Sequence, residues 1–424
     1  MQRTLSFDTT PTLAIPLPFL LAAPWFATAA GALLLWHGPQ ALASRWSAVT
    51  VALTHLITLG FLAMSMVGAM LQMLPVVAGL AVPRLGLVAR GALAGLACGV
   101  ALLAGGLLAD SQKLIAAAVP TLGCGFVLFI GACATALAGK AASGARPMTA
   151  GMRLAVPALA VTISLGLTLA TWLAGGPAVP AQLLTDLHAG WGLLGWVALL
   201  VMAVSFQVIP MFQSTQLYPR WLEFGLPATL VVALAGWSWS AWTGAPAQPW
   251  FGGLVALVLA GFAGHTLWLL ARRKRAADVT TLFWRLSLGS LLGCVLAWLL
   301  APHDAGWRPL LLGVLFLGGF GMAAVNGMLY KIVPFLLWYH LAERNLPRSM
   351  VPNVNTWIGV RASRWQFALH AGAVLALCAA AVWPVLARLA ALLFIGACGL
   401  LGALLVQAAL RYRRIERASA LEGL

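Results

Sequence analysis

The sequence predicts an all-α membrane protein that crosses the bilayer twelve times. Of its 424 residues, 62% are hydrophobic and 8% are charged, and the mean hydropathy of +0.96 is far above that of a water-soluble domain. Apolar windows of about 20 residues, the length that spans a hydrocarbon core, recur along the whole chain, so we expect one membrane domain over residues 1–424. The formal net charge of +16 comes from short basic clusters between apolar runs, which indicates membrane topology and no nucleic acid partner.

The apolar windows and the basic residues between them agree on twelve spans. The predicted spans are 14–36, 48–80, 86–109, 114–139, 152–175, 183–215, 224–243, 249–271, 281–301, 307–340, 364–383 and 386–410. If both termini are cytoplasmic, 21 basic residues lie inside and four lie outside, which are Arg45, Lys113, Arg308 and Arg388. A wrong span count would scramble this alternation, so the positive-inside rule supports cytoplasmic termini. The first eleven residues lack a signal-peptide pattern, and we expect the first span to direct insertion.

Interfacial residues fit the same topology. The short loop between the seventh and eighth spans is flanked by Trp237, Trp239, Trp242 and Trp250, whose amphipathic rings favour the headgroup zone. The basic segment 411–417 is expected to lie against anionic lipid headgroups, and the longest loop, 341–363, is expected to be an ordered surface loop. All six cysteines fall within apolar runs without a Cys-x-x-Cys pair, so neither a disulfide framework nor a zinc site is expected.

A short motif recurs in three of the predicted spans. The three copies, in spans two, six and ten, are Gln72-Met-Leu-Pro75, Gln207-Val-Ile-Pro210 and Lys331-Ile-Val-Pro334. They are offset by 135 and 124 residues, each close to four spans, and a small residue precedes each polar residue by four positions: Gly68, Ala203 and Gly327. The repeat predicts three homologous units, approximately 14–140, 152–271 and 281–410, in a pseudo-threefold 4+4+4 arrangement with the second helix of each unit at the centre.

The motif also predicts a polar interior. Proline removes a backbone donor and frees a carbonyl one turn earlier. The long side chains of Gln72, Gln207 and Lys331 could satisfy such carbonyls, which lipid cannot do. Asn326 and Tyr330 lie one turn apart on the tenth span and are expected to join this polar interior.

Two histidines stand near the outer ends of motif-bearing spans. His55 opens the second span and His188 opens the sixth, and an ionisable residue inside a membrane helix indicates a functional site. At 100° per residue His55 shares a helical face with Met66 and Met73, and imidazole with thioether suits Cu(I) or a haem iron. Two alternatives remain open, namely histidines bonded only to backbone carbonyls and methionines that only pack. Ligand roles are not expected for the other five, His37, His265, His303, His340 and His370.

The chain resembles the catalytic subunit of the haem-copper oxidases, which has twelve helices in three four-helix arcs. More narrowly, His55-Leu-Ile-Thr-Leu-Gly-Phe-Leu-Ala-Met64 and the following Leu-Pro-Val-Val-Ala-Gly resemble the second helix of NnrS-type proteins, which are linked to nitric-oxide stress and are reported to bind haem and copper. The segment 327–340 resembles the matching signature of a sister group of oxidase-like proteins. This resemblance implies a bacterial inner-membrane location, a haem ligand at His55 and a copper ligand at His188.

Departures from the oxidase pattern limit the activity that the resemblance implies. Oxidases carry adjacent histidines on the seventh helix and two more near the outer end of the tenth, whereas 224–243 and 307–339 contain none. A complete binuclear centre is therefore not expected, and the nine acids lie at loops and termini rather than in a proton relay. We expect a haem- and copper-binding protein of nitric-oxide or redox stress, or of haem and metal handling, which contacts respiratory-chain or oxidase-assembly subunits. A small-solute or metal transporter and a cofactor-free assembly subunit remain alternatives.

Overall fold

The computed structural model describes residues 10–344, 346 and 350–419, together with the backbone alone of residues 420–422. Within these residues the chain is all-helical, and twelve helices are long and apolar enough to cross a membrane. In chain order, α1 to α12 are Leu17–Leu42, Ala48–Ala78, Leu85–Leu108, Gln112–Leu137, Ser143–Leu173, Ala181–Gln213, Arg220–Thr243, Gln248–Ala271, Val279–Leu300, Arg308–Ala342, Val360–Val382 and Pro384–Ser419. The predicted number of spans and their approximate positions are confirmed.

Local sequence explains several helix starts. The Ser47 hydroxyl accepts the Thr50 N–H at 3.1 Å and so caps α2, and the Asp278 carboxylate accepts the Thr281 N–H at 3.0 Å and caps α9. The motif prolines Pro75, Pro210 and Pro334 lie inside their helices, as predicted. Some of the predictions concern residues outside the described part of the chain. These are Arg3 and Arg348, two of the basic residues expected on the cytoplasmic side, and part of the loop 341–363.

The chain divides into two compact units. The first holds Met70–Ala276 and Leu288–Arg308, and its sequential neighbours from α3 to α8 pack against one another. Close approach within this unit depends on glycine: a Cβ added at Gly95 of α3 would lie 2.7 Å from the Gly125 Cα of α4. This unit contains the sixth helix with His188.

The second unit holds Pro11–Ala69, Ala277–Ser287 and the chain from Pro309 onward. Here α12 packs against α1 and α11, while α10 packs against α11 and α12. This unit contains His55 and α10 from Pro309 onward. Because the unit boundaries cut through α2 and α9, they do not follow the predicted repeats, and the 4+4+4 arrangement stays a prediction.

Candidate functional site

The three helices that carry the repeated motif also carry the π-helical segments of the described chain. These segments are Leu56–Ala63 in α2, Trp191–Ala198 in α6 and Val314–Met322 in α10. Each one ends nine residues before the polar residue of its motif, so the offsets of 135 and 124 residues recur in the backbone. π turns are rare and are frequently found at functional sites. The repeat is thus a feature of conformation as well as of sequence.

The small residue of each motif lies where the preceding helix of the same repeat packs. The pairs are Gly68 with Phe19, Gly151 with Ala203 and Gly327 with Phe283. A Cβ added at the glycine of each pair would lie 2.6, 2.5 and 2.8 Å, respectively, from the Cβ atom of its partner. The helix pairs α1–α2, α5–α6 and α9–α10 therefore meet at equivalent positions, each within one compact unit.

His55 stands at the last α-helical residue before the π turn of α2. It is half-buried, and its Nδ1–H donates to the Val51 carbonyl of its own helix at 2.8 Å. Because a carbonyl oxygen only accepts, Nδ1 carries a proton, and in the neutral ring the lone pair is then on Nε2. A backbone carbonyl on the other ring nitrogen is the usual support of a metal-binding histidine.

The π turn corrects the prediction that His55, Met66 and Met73 share one face by α-helical spacing. The turn, Leu56–Ala63, lies between His55 and the methionines. One extra residue in a turn shifts the register by about 100°. Met66 and Met73, both buried, remain two turns apart on one face, but the α-helical count no longer places His55 above them. The role of Met66 and Met73 as ligands stays a prediction, and it no longer follows from a shared helical face with His55.

His188 is held by the neighbouring helix of its repeat. Its Nδ1–H donates to the Thr162 carbonyl of α5 at 2.9 Å, which again leaves the lone pair on Nε2. The ring lies against bare backbone, since a Cβ at Gly166 would be 2.8 Å from its Cε1. The nearby Gly190 and Gly192 face Trp237 and Thr162, respectively, so these two glycines allow close side-chain packing.

The third π turn lacks a histidine of its own and receives one from α11. His370 is fully buried, and its Nε2–H donates to the Gly318 carbonyl within the π turn at 3.1 Å. Its Nδ1 accepts the Asn326 amide at 3.3 Å, and the Asn326 Oδ1 is buried without a partner. Both ring nitrogens of His370 are thus engaged in hydrogen bonds, and the side chain fixes the π turn of α10.

A second side-chain bridge lies one turn away between the same two helices. The Tyr330 hydroxyl donates to the Gln366 Oε1 at 3.0 Å, and the Gln366 amide donates to the Ala397 carbonyl of α12 at 3.2 Å. The predicted polar role of Asn326 and Tyr330 is thus present, with partners on α11. Their predicted association with Gln72 and Gln207 stays a prediction.

The two motif glutamines and Lys331 differ in their surroundings. Gln207 is buried, and the buried Gln72 Oε1 has no hydrogen-bond partner among the described residues. The predicted bond from the Gln72 amide to the carbonyl freed by Pro75 stays a prediction. Lys331 Nζ lies 2.6 Å from the Asp278 carboxylate. Burial acts to raise the pKa of Asp278, but the Lys331 ammonium and the Thr281 N–H and hydroxyl outweigh it, so this pKa is lowered. Lys331 is therefore ion-paired.

The donor chemistry fits a haem iron better than an oxidase-type copper ion. His55 and His188 each present the tautomer that a metal ligand requires, and haem needs only one or two axial ligands. Three His, Cys, Asp or Glu side chains do not come together anywhere in the described part of the chain. A copper ion would therefore depend on thioether or backbone ligands beside a single imidazole. Copper binding therefore stays a prediction, because the described residues contain no cluster of three such ligands.

Sequence reasoning missed His370, Gln366 and Asp278 as polar partners of the tenth helix. One signal was available: Gln366 and His370 are four residues apart on the eleventh span, as Asn326 and Tyr330 are on the tenth. Equal spacing places both pairs on facing stripes of two helices. No comparable signal joined Asp278 to Lys331.

The fold and the site define a class: a polytopic helical membrane protein with repeated π turns. Two of its three motif helices present an imidazole beside the π turn. In comparisons with known proteins, no family model and no curated sequence matches the chain. The functional proposal therefore depends on the chain's own residues and on the resemblance described above.

Proposed function

We propose that the protein is a haem-binding protein of the bacterial inner membrane, with both termini cytoplasmic, related to oxidase catalytic subunits. It lacks the complete binuclear centre and acts in nitric-oxide or redox stress, or in haem and metal handling. One observation carries this proposal: beside the π turns of α2 and α6 stands an imidazole whose Nδ1–H is held by a backbone carbonyl. The twelve spans and the repeat of π turns at the motif's offsets are consistent with a threefold ring.

In this proposal the chain's own residues prepare the ligand nitrogens. The Val51 carbonyl fixes the tautomer of His55, which would be an axial ligand through Nε2. The Thr162 carbonyl does the same for His188, the second proposed metal ligand. Met66 and Met73 are the candidate thioether ligands. A bound haem would supply one-electron exchange and an iron that binds small ligands such as nitric oxide.

The test is the visible spectrum of the purified full-length protein. We expect a Soret band in the wild type and its loss in His55→Leu, because the axial nitrogen is removed. His265→Leu, another histidine within a span, is the matched control and is expected to keep the band. A wild type that lacks haem, or a His55→Leu spectrum identical to the wild type, would refute the assignment.

A transporter for a small solute or metal is the second candidate, and the same π turns favour it. Helix discontinuities with freed carbonyls, placed in repeated spans, form the binding sites of many transporters. Each of the three helices with a π turn also contains a proline that follows the π turn in the chain. Solute or metal uptake by cofactor-free proteoliposomes would favour this function. Absence of both cofactor and uptake, with co-purifying respiratory or assembly subunits, would favour the assembly role.

A further inference from the structure

Helices α7 and α8 form a hairpin, and the end of the hairpin at which α7 begins and α8 ends is rigid. These helices pack together and are joined by the short segment 244–247, so Arg220 at the start of α7 lies at the same end as Arg272 after α8. The Tyr218 hydroxyl donates to the Thr266 hydroxyl at 3.0 Å across this end. The Lys274 N–H donates to the Ser214 carbonyl at 3.2 Å. The backbone that presents the basic residues is therefore fixed.

Among the described residues, this end carries exposed cations, and the two acids nearest to them in the chain are buried or ion-paired. Its exposed basic residues, here called the basic end, are Arg220, Arg272, Lys274 and Arg275. None of the four has an ion-pair partner within the described residues. The two acids are Glu223, which is only 4% exposed, and Asp278, which is ion-paired with Lys331. An anionic group arriving from outside would thus meet uncompensated cations.

Exposed tryptophans set the depth of the basic end in the bilayer. On α8, Trp250 is 82% exposed and Trp268 is 42% exposed, and the 18 residues between them span about 27 Å. This is close to the hydrocarbon thickness of about 30 Å, so the two rings mark the two interfaces. Arg272 lies one turn beyond Trp268, with its guanidinium carbon 4.0 Å from the centre of that ring. The guanidinium is thereby held at the level of lipid phosphates.

We propose that the basic end is a binding site for the phosphodiester headgroup of an anionic phospholipid of the adjacent leaflet. The Arg272 guanidinium offers a planar fork that matches two phosphate oxygens, and Lys274 and Arg275 add charge. The exposed rings of Trp268 and Trp221 flank the acyl region. Basic clusters at the ends of membrane helices recognise such lipids.

The experiment measures lipid retained by the full-length protein in detergent, by native mass spectrometry, with phosphatidylglycerol and phosphatidylcholine as probes. We expect phosphatidylglycerol to be retained preferentially and the R272Q/K274Q/R275Q variant to bind it at least about tenfold more weakly. Arg272→Lys keeps the charge but loses the fork, and it should give a partial loss. The control variant R84Q/R90Q, which removes exposed charge from the start of α3, is expected to retain the lipid.

Three results would overturn the proposal. They are equal retention of both lipids by the wild type, an equal loss in the control variant, and unchanged binding in the triple variant. Inorganic phosphate is expected not to displace the lipid at equal concentration, because it lacks acyl chains to lie beside Trp221 and Trp268; displacement would assign the site to free phosphate. Phosphatidylcholine binding and the circular dichroism spectrum check that each variant is folded.

Discussion

Adding one methyl group to the tenth helix provides a direct test of the repeated helix pairs. In Gly327→Ala the new Cβ would lie 2.8 Å from the Phe283 Cβ, about 0.6 Å closer than ordinary contact. Neither atom can rotate away, because both are attached directly to helix backbone. Overpacking of this kind costs about 1–3 kcal/mol. Alanine also gains about 1 kcal/mol over glycine in helix propensity, so a control glycine is needed.

Gly399 provides that control, because it lies in α12 and a Cβ added there has nothing within 4 Å. The propensity gain is common to both variants, so Gly327→Ala is expected to be less stable than Gly399→Ala by about 1–3 kcal/mol. Reversible unfolding in mixed micelles by denaturing detergent measures the difference. Gly68→Ala, with its Cβ 2.6 Å from that of Phe19, should show the same sign. Variants that agree within about 0.5 kcal/mol would refute the close packing of these pairs.

Three further predictions concern the polar groups of the second unit. The pKa of Asp278 is lowered because Lys331 and Thr281 outweigh burial, so its contribution of about 1 kcal/mol is present above the ordinary carboxyl pKa. It is lost as the pH falls through the lowered native pKa, and thermal unfolding of Asp278→Asn between about pH 6 and pH 3 should lack this acid-side loss. His370→Leu leaves a buried carbonyl and amide unpaired and should cost about 2–4 kcal/mol by detergent unfolding; a neutral result would contradict the described contacts. Tyr330→Phe removes one hydrogen bond and should cost about 1 kcal/mol by the same assay, clearly less than His370→Leu.

The spans could be predicted because hydrophobic length and charge asymmetry are properties of the sequence itself. The fourth span, expected at 114–139, is Gln112–Leu137, and the sixth, expected at 183–215, is Ala181–Gln213. The π turns could not be predicted in the same way. Residues 56–63, 191–198 and 314–322 are mostly apolar, so no polar stripe reports whether their period is 3.6 residues or longer.

The polar partners of the tenth helix were hidden for a different reason. His370 lies 44 residues from Asn326 and 52 from Gly318, so its role depends on which helices pack together. Its four-residue spacing from Gln366 matches that of Asn326 and Tyr330, but this spacing does not show which helices pack together. Lys331 was expected to satisfy a carbonyl freed by its proline, yet its ammonium pairs with Asp278, the residue that caps a neighbouring helix. In each case the residue was visible in the sequence and its partner was not.

The length differences between the predicted repeats fall at one place. The positions on the first helix of each pair, Phe19, Gly151 and Phe283, are separated by 132 residues in both intervals. The contacting positions on the second helix are separated by 135 and 124 residues, so the variation falls between the first and second helices of each pair. Loops tolerate such insertions, whereas packed helices do not. Independent proline kinks would have no reason to share π turns and packing partners at these offsets, so these features support the predicted repeat, which stays a prediction.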